Sequence, residues 1–377
     1  MNAWGGSLQN NDLINWIRLF TTRSIGPVTF KQLLARFKTA KNAIEQLPEL
    51  SKKAGSKREI AIPSIEFAQK YIEKCHKANV ELLTILDDDY PKMLKQISDA
   101  PMILHVKGRK ELLKKDALAI VGSRNASLQG ISFTQKIVKE LSEHDKVIVS
   151  GLARGIDTAA HTASLSTGTI AVVGGGIDII YPAENKELYE KIANEGVIIA
   201  ESLLGKEPYA QSFRYRNRII SGISRGVVVI EAAFKSGSLI TAEYANEQGR
   251  DVFAVPGHPY DPRSAGTNFL IKNGAFIVDN VNAILGQLSS IRTLNLFEPE
   301  LNEADDFVNE KNMKDEVSSD EIHQFLLQNL GSSPISINEI AKIAPFPIEK
   351  IQWALAELEI TEEVVIEQNY VRRKHEM

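Results

Sequence analysis

The chain of 377 residues lacks the features of membrane and secreted proteins. No stretch approaches the roughly 18 consecutive apolar residues that a membrane span requires. The first residues, MNAWGGSLQNND, lack the positive start and apolar run of a signal peptide. The single cysteine, Cys75, excludes an intrachain disulfide. These absences predict a cytoplasmic protein with no membrane partner.

Positive charge is also in short supply. The chain has 44 lysine and arginine residues against 48 aspartate and glutamate residues, for a net charge of −4. Binding of nucleic acid through overall charge is therefore not expected. A polyanion would need a local basic patch, because only charges within about one Debye length, roughly 8 Å at physiological salt, cooperate.

Motifs of several enzyme classes are missing as well. The chain has neither a Gly-x-Gly-x-x-Gly run after its first predicted core strand nor a Gly-x-x-x-x-Gly-Lys-Ser/Thr run, which argues against NAD and P-loop sites. The seven histidines show no zinc spacing. His161 follows Asp157 by four residues, which fits a base with an orienting carboxylate or, as we favour, a capping Asp and a satisfied His. The sequence predicts no catalytic residue, metal or cofactor.

The pattern along the chain predicts four parts. Residues 1–80 have helical periodicity on both sides of Ser24-Ile25-Gly26-Pro27, which predicts a helical hairpin. This part is either a packing module or a helix-hairpin-helix or SAM-like unit whose turn amides meet DNA phosphates. Residues 81–287 form a larger core. Residues 288–317 are acidic and poorly periodic, which is typical of a linker. Residues 318–377 predict three helices and a hairpin, as in a winged helix.

The core alternates short β-branched runs with helical patterns. Runs that are apolar on both faces and separated by helices predict a parallel sheet covered on both sides. Right-handed crossovers then give an α/β, doubly wound Rossmann-like fold. The predicted strands are Leu118–Val121, Val147–Val149, Thr169–Val173, Val197–Ala200, Val227–Ile230 and Asp251–Val255.

Glycine-rich loops follow four of these strands. Glycine lets a backbone approach a ligand, and helix N-termini present unpaired amides, so loops gathered at one sheet edge predict a phosphate-binding face. Tight turns that use glycine for geometry alone are the alternative. The candidate residues in these loops are Gly122, Ser123, Arg124, Gly151, Gly174, Gly175, Ser236, Gly237 and Ser238.

A local basic cluster lies between Gly205 and Arg225. It has five basic residues and one acidic residue, and its centre is the segment Arg214-Tyr215-Arg216-Asn217-Arg218. Arginine offers a planar fork for phosphate, and Phe213 or Tyr215 could stack on an unpaired base. The alternative is that some arginines pair with Glu184, Glu201 or Glu231. We expect at least one of Arg214, Arg216 and Arg218 to have such a structural role.

Six motifs of the core occur in a characteristic order. They are Gly122-Ser123-Arg124, Ser150-Gly-Leu-Ala-Arg-Gly-Ile-Asp157, Tyr181-Pro182 with Asn185, Arg216-Asn-Arg-Ile-Ile220, Ser236-Gly-Ser-Leu-Ile-Thr-Ala242 and Val255-Pro-Gly257. In these motifs the chain closely resembles the DNA-processing protein A family (DprA, also called Smf), over about Leu83 to Leu285. The two flanking modules agree with the three-part layout of the family.

The resemblance implies a non-enzymatic protein that binds single-stranded DNA as a homodimer. It further implies that a RecA-type recombinase is loaded on DNA coated by single-strand-binding protein, in natural transformation. Family phosphate contacts carry over to Ser123, Arg124, Arg216 and Arg218, with Arg154, Lys186 and Gly237 added from matched loops. The family often has proline where this chain has Arg214, which predicts a looser loop and a stronger basic patch.

Two other functions remain open from the residues alone. A nucleotide-binding, Rossmann-like phosphoribohydrolase-type enzyme would hold phosphate in the stretch 236–243, with Glu231 or Glu243 as its acid. A structural assembly protein would offer the basic patch to an acidic partner.

The C-terminal module carries its own expectation. Its third helix has Glu349, Glu357 and Glu359 against Lys350, and DNA phosphates would repel such a face. We therefore predict that this module contacts protein and does not read bases. Basic residues of the predicted wing, namely Arg372, Arg373 and Lys374, leave a DNA contact as the alternative.

Overall fold

A computed structural model describes residues 10–53, 60–295, 319–367 and 370–374. Its contacts group the chain into two compact units. The first, here called the flanking unit, comprises Met1–Lys74, Ser98–Met102 and Asn302–Met377. The second, here called the sheet unit, comprises Cys75–Ile97 and Ile103–Leu301. The two ends of the chain thus belong to one unit, and the four-part division remains a prediction.

Helices and strands alternate through most of the chain. The helices are α1 Asn10–Phe20, α2 Pro27–Phe37, α3 Ala40–Lys53, α4 Ile65–Lys77, α5 Lys92–Lys95, α6 Leu128–Glu143, α7 Ile156–Ser164, α8 Lys186–Glu195, α9 Ala210–Ile223, α10 Gly237–Glu247, α11 Ala265–Lys272, α12 Val281–Asn295, α13 Ser319–Asn329, α14 Ile337–Ile343 and α15 Ile348–Ile360. The strands are β1 Glu81–Thr84, β2 Ile103–Gly108, β3 Ala117–Val121, β4 Val147–Ser150, β5 Thr169–Val173, β6 Val197–Ala200, β7 Gly226–Val229, β8 Asp251–Ala254, β9 Phe276–Ile277, β10 Ile335–Ser336, β11 Val364–Glu367 and β12 Tyr370–Arg373. Among the described residues, no helix is long and apolar enough to cross a membrane.

The sheet unit is built on nine strands in the order β1-β2-β6-β5-β4-β3-β7-β8-β9. The six strands predicted from sequence are all present and pair in parallel. β3 is buried along its whole length, as a central strand covered on both faces should be. Leu118 and Ile120 of this strand share a core with residues of α6, α7 and α12. The prediction of a Rossmann-like, mostly parallel sheet is confirmed.

Two antiparallel strands escaped the sequence prediction. β2 pairs antiparallel with β6, and β1 with β2, so one side of the sheet is mixed. β9 adds a short parallel strand at the other side. These strands are short or interrupted by polar residues such as His105, which is nevertheless fully buried.

The strand order places a topological switch beside β3. Strands β4, β5 and β6 lie on one side of β3, and β7 and β8 lie on the other. The loops that leave β3 and β7 therefore diverge. In doubly wound sheets such a divergence opens a crevice at the carboxyl ends of the strands, where ligands bind.

The flanking unit combines the first helices with the C-terminal module. That module has a three-stranded sheet in the order β10-β12-β11, and its core includes Leu326, Ile340 and Leu355. The predicted hairpin is present as β11 and β12. The winged-helix assignment remains a prediction. Of the predicted linker, residues 288–295 are helical in α12, and residues 296–317 lie outside the described residues.

Candidate nucleic-acid interface

A cleft of about 760 Å³ opens at the switch between β3 and β7. Its walls come from the loop after β3, the start of α9 and the start of α10. Nine of the residues predicted from sequence line it: Gly122, Ser123, Arg124, Arg214, Arg216, Asn217, Ser236, Gly237 and Ser238. The structure thus brings three of the predicted segments to one place.

The loops after β3 and β4 are held together by backbone contacts. The amide of Ile156 donates to the carbonyl oxygen of Ser123 at 3.2 Å. Gly155 has a positive φ of 75°, and a Cβ there would lie 2.2 Å from that same carbonyl oxygen. Only glycine fits this position, because a side chain would be strained and would collide. The Ser123 hydroxyl accepts from the amide of Asn125 at 3.1 Å, which shapes the loop from within.

Glu231, one candidate acid, has a structural role at the next turn. Its carboxylate accepts from the amide of Ser127 at 2.9 Å and from the Ser127 hydroxyl. The same hydroxyl accepts from the amide of Gly130 at 2.9 Å and caps α6. A Cβ on Gly130 would lie 2.7 Å from the Glu231 carboxylate. Glu231 therefore fixes the start of α6, and it does not line the cleft.

The start of α10 is the open wall of the cleft. Gly237 is exposed, and a Cβ built on it would meet no atom within 4 Å. Asn217 donates from its amide nitrogen to the carbonyl of Gly237 at 3.1 Å, and the hydroxyls of Ser236 and Ser238 are 2.7 Å apart. A ligand can therefore approach the backbone at this helix start, where helix amides favour an anion.

Arg216 lies beneath the cleft and supports its loops. It is 8% exposed, and its Nη1 donates to the carbonyls of Gly151, at 2.7 Å, and Val172. Burial lowers the pKa of Arg216 to about 10, against the opposing charge of Asp157. The side chain therefore remains charged at neutral pH and ties the ends of β4 and β5 to α9.

Arg218 is the structural arginine that the sequence analysis anticipated. Its side chain is fully buried, and its Nη2 donates to both carboxylate oxygens of Glu201 at 2.8 and 2.7 Å. Its guanidinium lies 4.1 Å from the ring centroid of Tyr215. Arg218 therefore does not face the cleft, and Tyr215 is engaged by a cation inside the protein. The phosphate contact expected for Arg218 is not supported by its position.

Arg124 and Arg214 are the exposed cations of the cleft. Within the described ranges neither forms an ion pair. The guanidinium of Arg124 lies 5.7 Å from the ring centroid of Phe213, and the rings of Phe213 and Tyr181 are 5.2 Å apart. Positive charge and aromatic surface are thus combined on one wall. This is the combination that binds a phosphate backbone together with unpaired bases.

Asp157 and His161 have separate hydrogen-bond partners. The Asp157 carboxylate accepts from the amides of Gly151 and Ala153 at 3.1 and 3.3 Å, and burial raises its pKa while the Arg216 charge opposes the rise. His161 is fully buried, with Nδ1 2.8 Å from the hydroxyl of Thr169. Burial and the charge of Arg216 lower the pKa of His161 to about 3. Asp157 therefore holds the loop after β4, and His161 joins α7 to β5.

Besides Arg218, five predicted residues lie outside the cleft lining. Three of them are covered glycines: Arg216 lies over Gly151, and a Cβ on Gly174 or Gly175 would meet Phe213 or Pro208. Arg154 is half exposed, with Nη1 3.8 Å from the carboxylate of Glu184. Lys186 is exposed at the start of α8. The third glycine loop therefore packs under α9 and is not an open phosphate site.

Two tyrosines of the cleft were not predicted as ligand contacts. Tyr181 is 48% exposed and Tyr209 is 54% exposed, and both line the cleft. The amine of Lys206 lies 5.8 Å from the ring centroid of Tyr209. The available signal was position, because Tyr209 precedes Phe213 by four residues and lies inside the basic cluster.

Comparison with known proteins identifies the family of the chain. The sequence profile described as DNA recombination-mediator protein A matches residues 81–289, and one described as a DprA-like N-terminal HHH domain matches residues 10–73. The first match covers more than half of the chain. The chain belongs to this family.

Individual family members are similar over most of their length. The DNA processing protein DprA of Streptococcus pneumoniae is 49% identical over 206 residues, which are 54% of this chain and 73% of that protein. Protein Smf of Escherichia coli is 36% identical over 304 residues, which are 78% of this chain and 79% of that protein.

Solved structures of the family share the fold. The X-ray structure of DprA from Streptococcus pneumoniae aligns with a TM-score of 0.61 at 38% identity and covers 72% of this chain and 97% of that one. The structure of DNA processing protein A from Helicobacter pylori, described for its single-stranded DNA binding mode, aligns with a TM-score of 0.52 at 30% identity. That match covers 56% of this chain and 96% of the other.

Proposed function

We propose that this chain is a recombination mediator that binds single-stranded DNA in the cleft between β3 and β7. The observation that carries the proposal is the pair Arg124 and Arg214. Both are exposed and line the cleft, whose lining also includes Phe213 and the open start of α10. Guanidinium groups and helix amides grip phosphate oxygens whatever the base, so binding has little sequence preference.

The aromatic rings favour single strands as the ligand. Tyr181, Tyr209 and Phe213 all line the cleft, and they present ring surface next to the arginines. A base that is not paired in a duplex has a free face for stacking, and each stacked base contributes about 1–3 kcal/mol. The Helicobacter pylori relative, whose structure is described for its single-stranded DNA binding mode, supports the same ligand here.

The positions of three carboxylates favour DNA binding over hydrolysis of nucleotides. Glu231 is engaged with Ser127, and Glu243 is exposed outside the cleft lining. Asp157 lines the cleft, but its carboxylate holds two loop amides. The phosphoribohydrolase-type alternative therefore lacks the acids expected for it. Incubation of the protein with nucleoside monophosphates should release no free base.

The decisive variant replaces both exposed arginines, Arg124→Ala with Arg214→Ala. We expect affinity for single-stranded oligo-dT to fall about tenfold or more, and the salt slope to fall by about 1.4, since each neutralised phosphate contributes roughly 0.7. Fluorescence anisotropy at several salt concentrations measures both. The matched control, Arg109→Ala with Lys114→Ala, removes two positive charges outside the cleft lining and should bind as the parent does. Parental affinity and slope in the cleft variant would remove the basis of the proposal.

Recombinase loading, a contact with single-strand-binding protein, and a homodimer belong to the same proposal. β9 is the last strand of the sheet, and its Phe276 and Ile277 are 39% and 53% exposed. An exposed apolar edge strand is suited to pairing with a second copy. Light scattering should therefore give twice the chain mass, and Ile277→Lys should give the chain mass.

In an assay with DNA coated by single-strand-binding protein, the parent should shorten the lag before a RecA-type recombinase assembles.

A further inference from the structure

The turn between α1 and α2 receives a carboxylate from the C-terminal module. Gly26 is the N-cap of α2 and Pro27 is its first residue. The hydroxyl of Thr29 donates to Oε2 of Glu359, and the Glu359 carboxylate lies 3.4 Å from the position of a Cβ on Gly26. Glu359 is only 8% exposed and Thr29 is fully buried. A carboxyl side chain of α15 is thus inserted at the start of α2.

A second carboxylate lies against the same turn. Glu362 accepts from the hydroxyl of Ser24 at 2.8 Å, and Nε of Arg23 lies 3.2 Å from the same oxygen. Lys374 approaches the other oxygen of Glu362 at 2.6 Å. Two carboxylates from one segment therefore lie over residues 23–29.

The contact continues to the far end of α2. The ring of Trp353 is 6.3 Å from that of Phe37, and the guanidinium of Arg36 lies 3.9 Å from the centroid of the Trp353 ring. α15 also packs against α3. The contact is therefore an extended face of both helices, and the carboxylates occupy its end at the turn.

The chemistry of this face exceeds what packing needs. Burial raises the pKa of Glu359 to about 7, although Thr29 and the backbone at Ile366 and Gly26 oppose the rise. An apolar side chain would fill such a position without that cost. The groups that contact the two carboxylates are hydroxyls, the start of a helix and an arginine side chain. Groups of the same kinds contact phosphate oxygens in nucleic-acid complexes.

We propose that α15 is an internal ligand of the N-terminal helices. Glu359 and Glu362 occupy the turn at residues 23–29 in place of the phosphates of a DNA backbone, so docking of α15 and binding of DNA at this turn exclude each other. The inference concerns the flanking unit and does not depend on DNA binding in the cleft. It also identifies the protein surface that the acidic third helix contacts: a part of its own chain.

The expectation of a repulsive acidic face on α15 is corrected by this arrangement. Glu357 and Glu359 are 7% and 8% exposed, and only Glu349 of the three is exposed. Glu357 accepts from the hydroxyl of Ser319 at 2.9 Å and lies 3.0 Å from Nε2 of His323. Sequence alone counted the charges correctly but could not show that two of them point into the unit.

The test compares two charge reversals on α15 in the full chain, Glu359→Lys and Glu349→Lys. Both are made in the Arg124→Ala/Arg214→Ala background, so that a change in DNA binding at the turn is separated from binding in the cleft. Hydrogen exchange reports protection of the amides of residues 25–30, and anisotropy reports affinity for oligo-dT. We expect Glu359→Lys to raise the exchange rates about tenfold or more and the affinity about fivefold, and Glu349→Lys to change each by less than about twofold.

Two results would overturn the inference. Unchanged exchange in Glu359→Lys would show that α15 does not cover the turn, and faster exchange without tighter binding would show that the turn is no DNA site. If Glu359→Lys fails to fold by circular dichroism, Glu359→Gln with Glu362→Gln replaces it, since these amides keep the shape and remove both charges. The same two readouts then decide, with smaller expected changes of about threefold in exchange and twofold in affinity.

Discussion

Both units bury charged side chains, but the partners of these side chains differ. In the sheet unit Arg216 and Arg218 are buried against backbone carbonyls and Glu201, all within the fold that forms the cleft. In the flanking unit Glu359 is buried against Thr29, which is 330 positions away in the chain. The first arrangement makes loops rigid, whereas the second joins two modules that can in principle part. Burial and partners, and not the sign of a charge, decide its role.

Replacing Arg218 tests the structural half of this comparison and has the largest expected effect. Arg218→Ala removes the guanidinium that pairs with Glu201 inside the protein. The loss of this buried pair should lower the free energy of unfolding by about 3 kcal/mol. Arg214→Ala removes an identical side chain from the same helix, but an exposed one, and should cost no more than about 0.5 kcal/mol. Urea denaturation measures both. Equal stability of the two variants would contradict the distinction between buried and exposed arginines.

A pair of glycines sharpens the description of the cleft. Gly155→Ala places a Cβ against the Ser123 carbonyl at a positive φ, which should cost about 1–3 kcal/mol and loosen the loop after β3. Gly237→Ala meets no atom within 4 Å and should leave the melting temperature unchanged. If DNA approaches the start of α10, Gly237→Ala should nevertheless weaken oligo-dT binding by about threefold. Thermal melting and anisotropy together separate the two effects, and a destabilised Gly237→Ala would count against the geometry.

Lowering the pH should destabilise the sheet unit and strengthen the docking of α15 in the flanking unit. The lowered pKa of His161, about 3, means that the unfolded chain takes up this proton first, so stability of the sheet unit falls as pH drops below about 6.5. The raised pKa of Glu359, about 7, means that the docked state takes up its proton first, so docking of α15 strengthens as pH drops from about 7 to 4.5. Thr29, Gly26 and Ile366 contact Glu359, and the charged groups over the same turn are Glu362, Arg23 and Lys374.

Hydrogen-exchange protection measured between pH 5 and 7.5 checks these signs. Protection in α2 should rise toward pH 5 in the parent and become nearly independent of pH in Glu359→Gln. Protection in β4 and α7 should fall toward pH 5 in both proteins. The same trend in both units would show that one of the two buried groups has been assigned the wrong shift.

The fold of the sheet unit was largely predictable, because its determinants are local. Runs such as Thr169–Val173 are apolar and β-branched on both faces, and only a covered parallel strand tolerates that pattern. β1 and β2 could not be predicted in the same way, because β2 pairs with β6 through residues about 95 positions apart, such as His105 and Ala200, and β1 in turn pairs with β2. The pairing of the two chain ends in one unit is likewise a tertiary property.

The cleft was predictable as a group of segments but not residue by residue. Arg214, Arg216 and Arg218 are alternate residues of one helix, and their side chains end in different environments because α9 turns about 100° per residue. Sequence composition does not show which of these arginines is buried. The neighbouring residues do, since Arg218 is followed by the buried Ile219 and Ile220, whereas Arg214 lies near the exposed N-terminal turn. The third glycine loop could not be interpreted from sequence for a related reason. Its glycines allow α9 to pack closely, and sequence does not distinguish this role from an open phosphate site.

The most direct test of the central claim is to find which residues touch the strand. Oligo-dT containing bromodeoxyuridine can be crosslinked to the full chain by ultraviolet light, and the adducts located by mass spectrometry. We expect the principal adducts on Tyr181, Tyr209 or Phe213, with adduct yield lost in Arg124→Ala/Arg214→Ala. Principal adducts elsewhere on the sheet unit, with these three rings unmodified, would contradict a strand path through the cleft between β3 and β7.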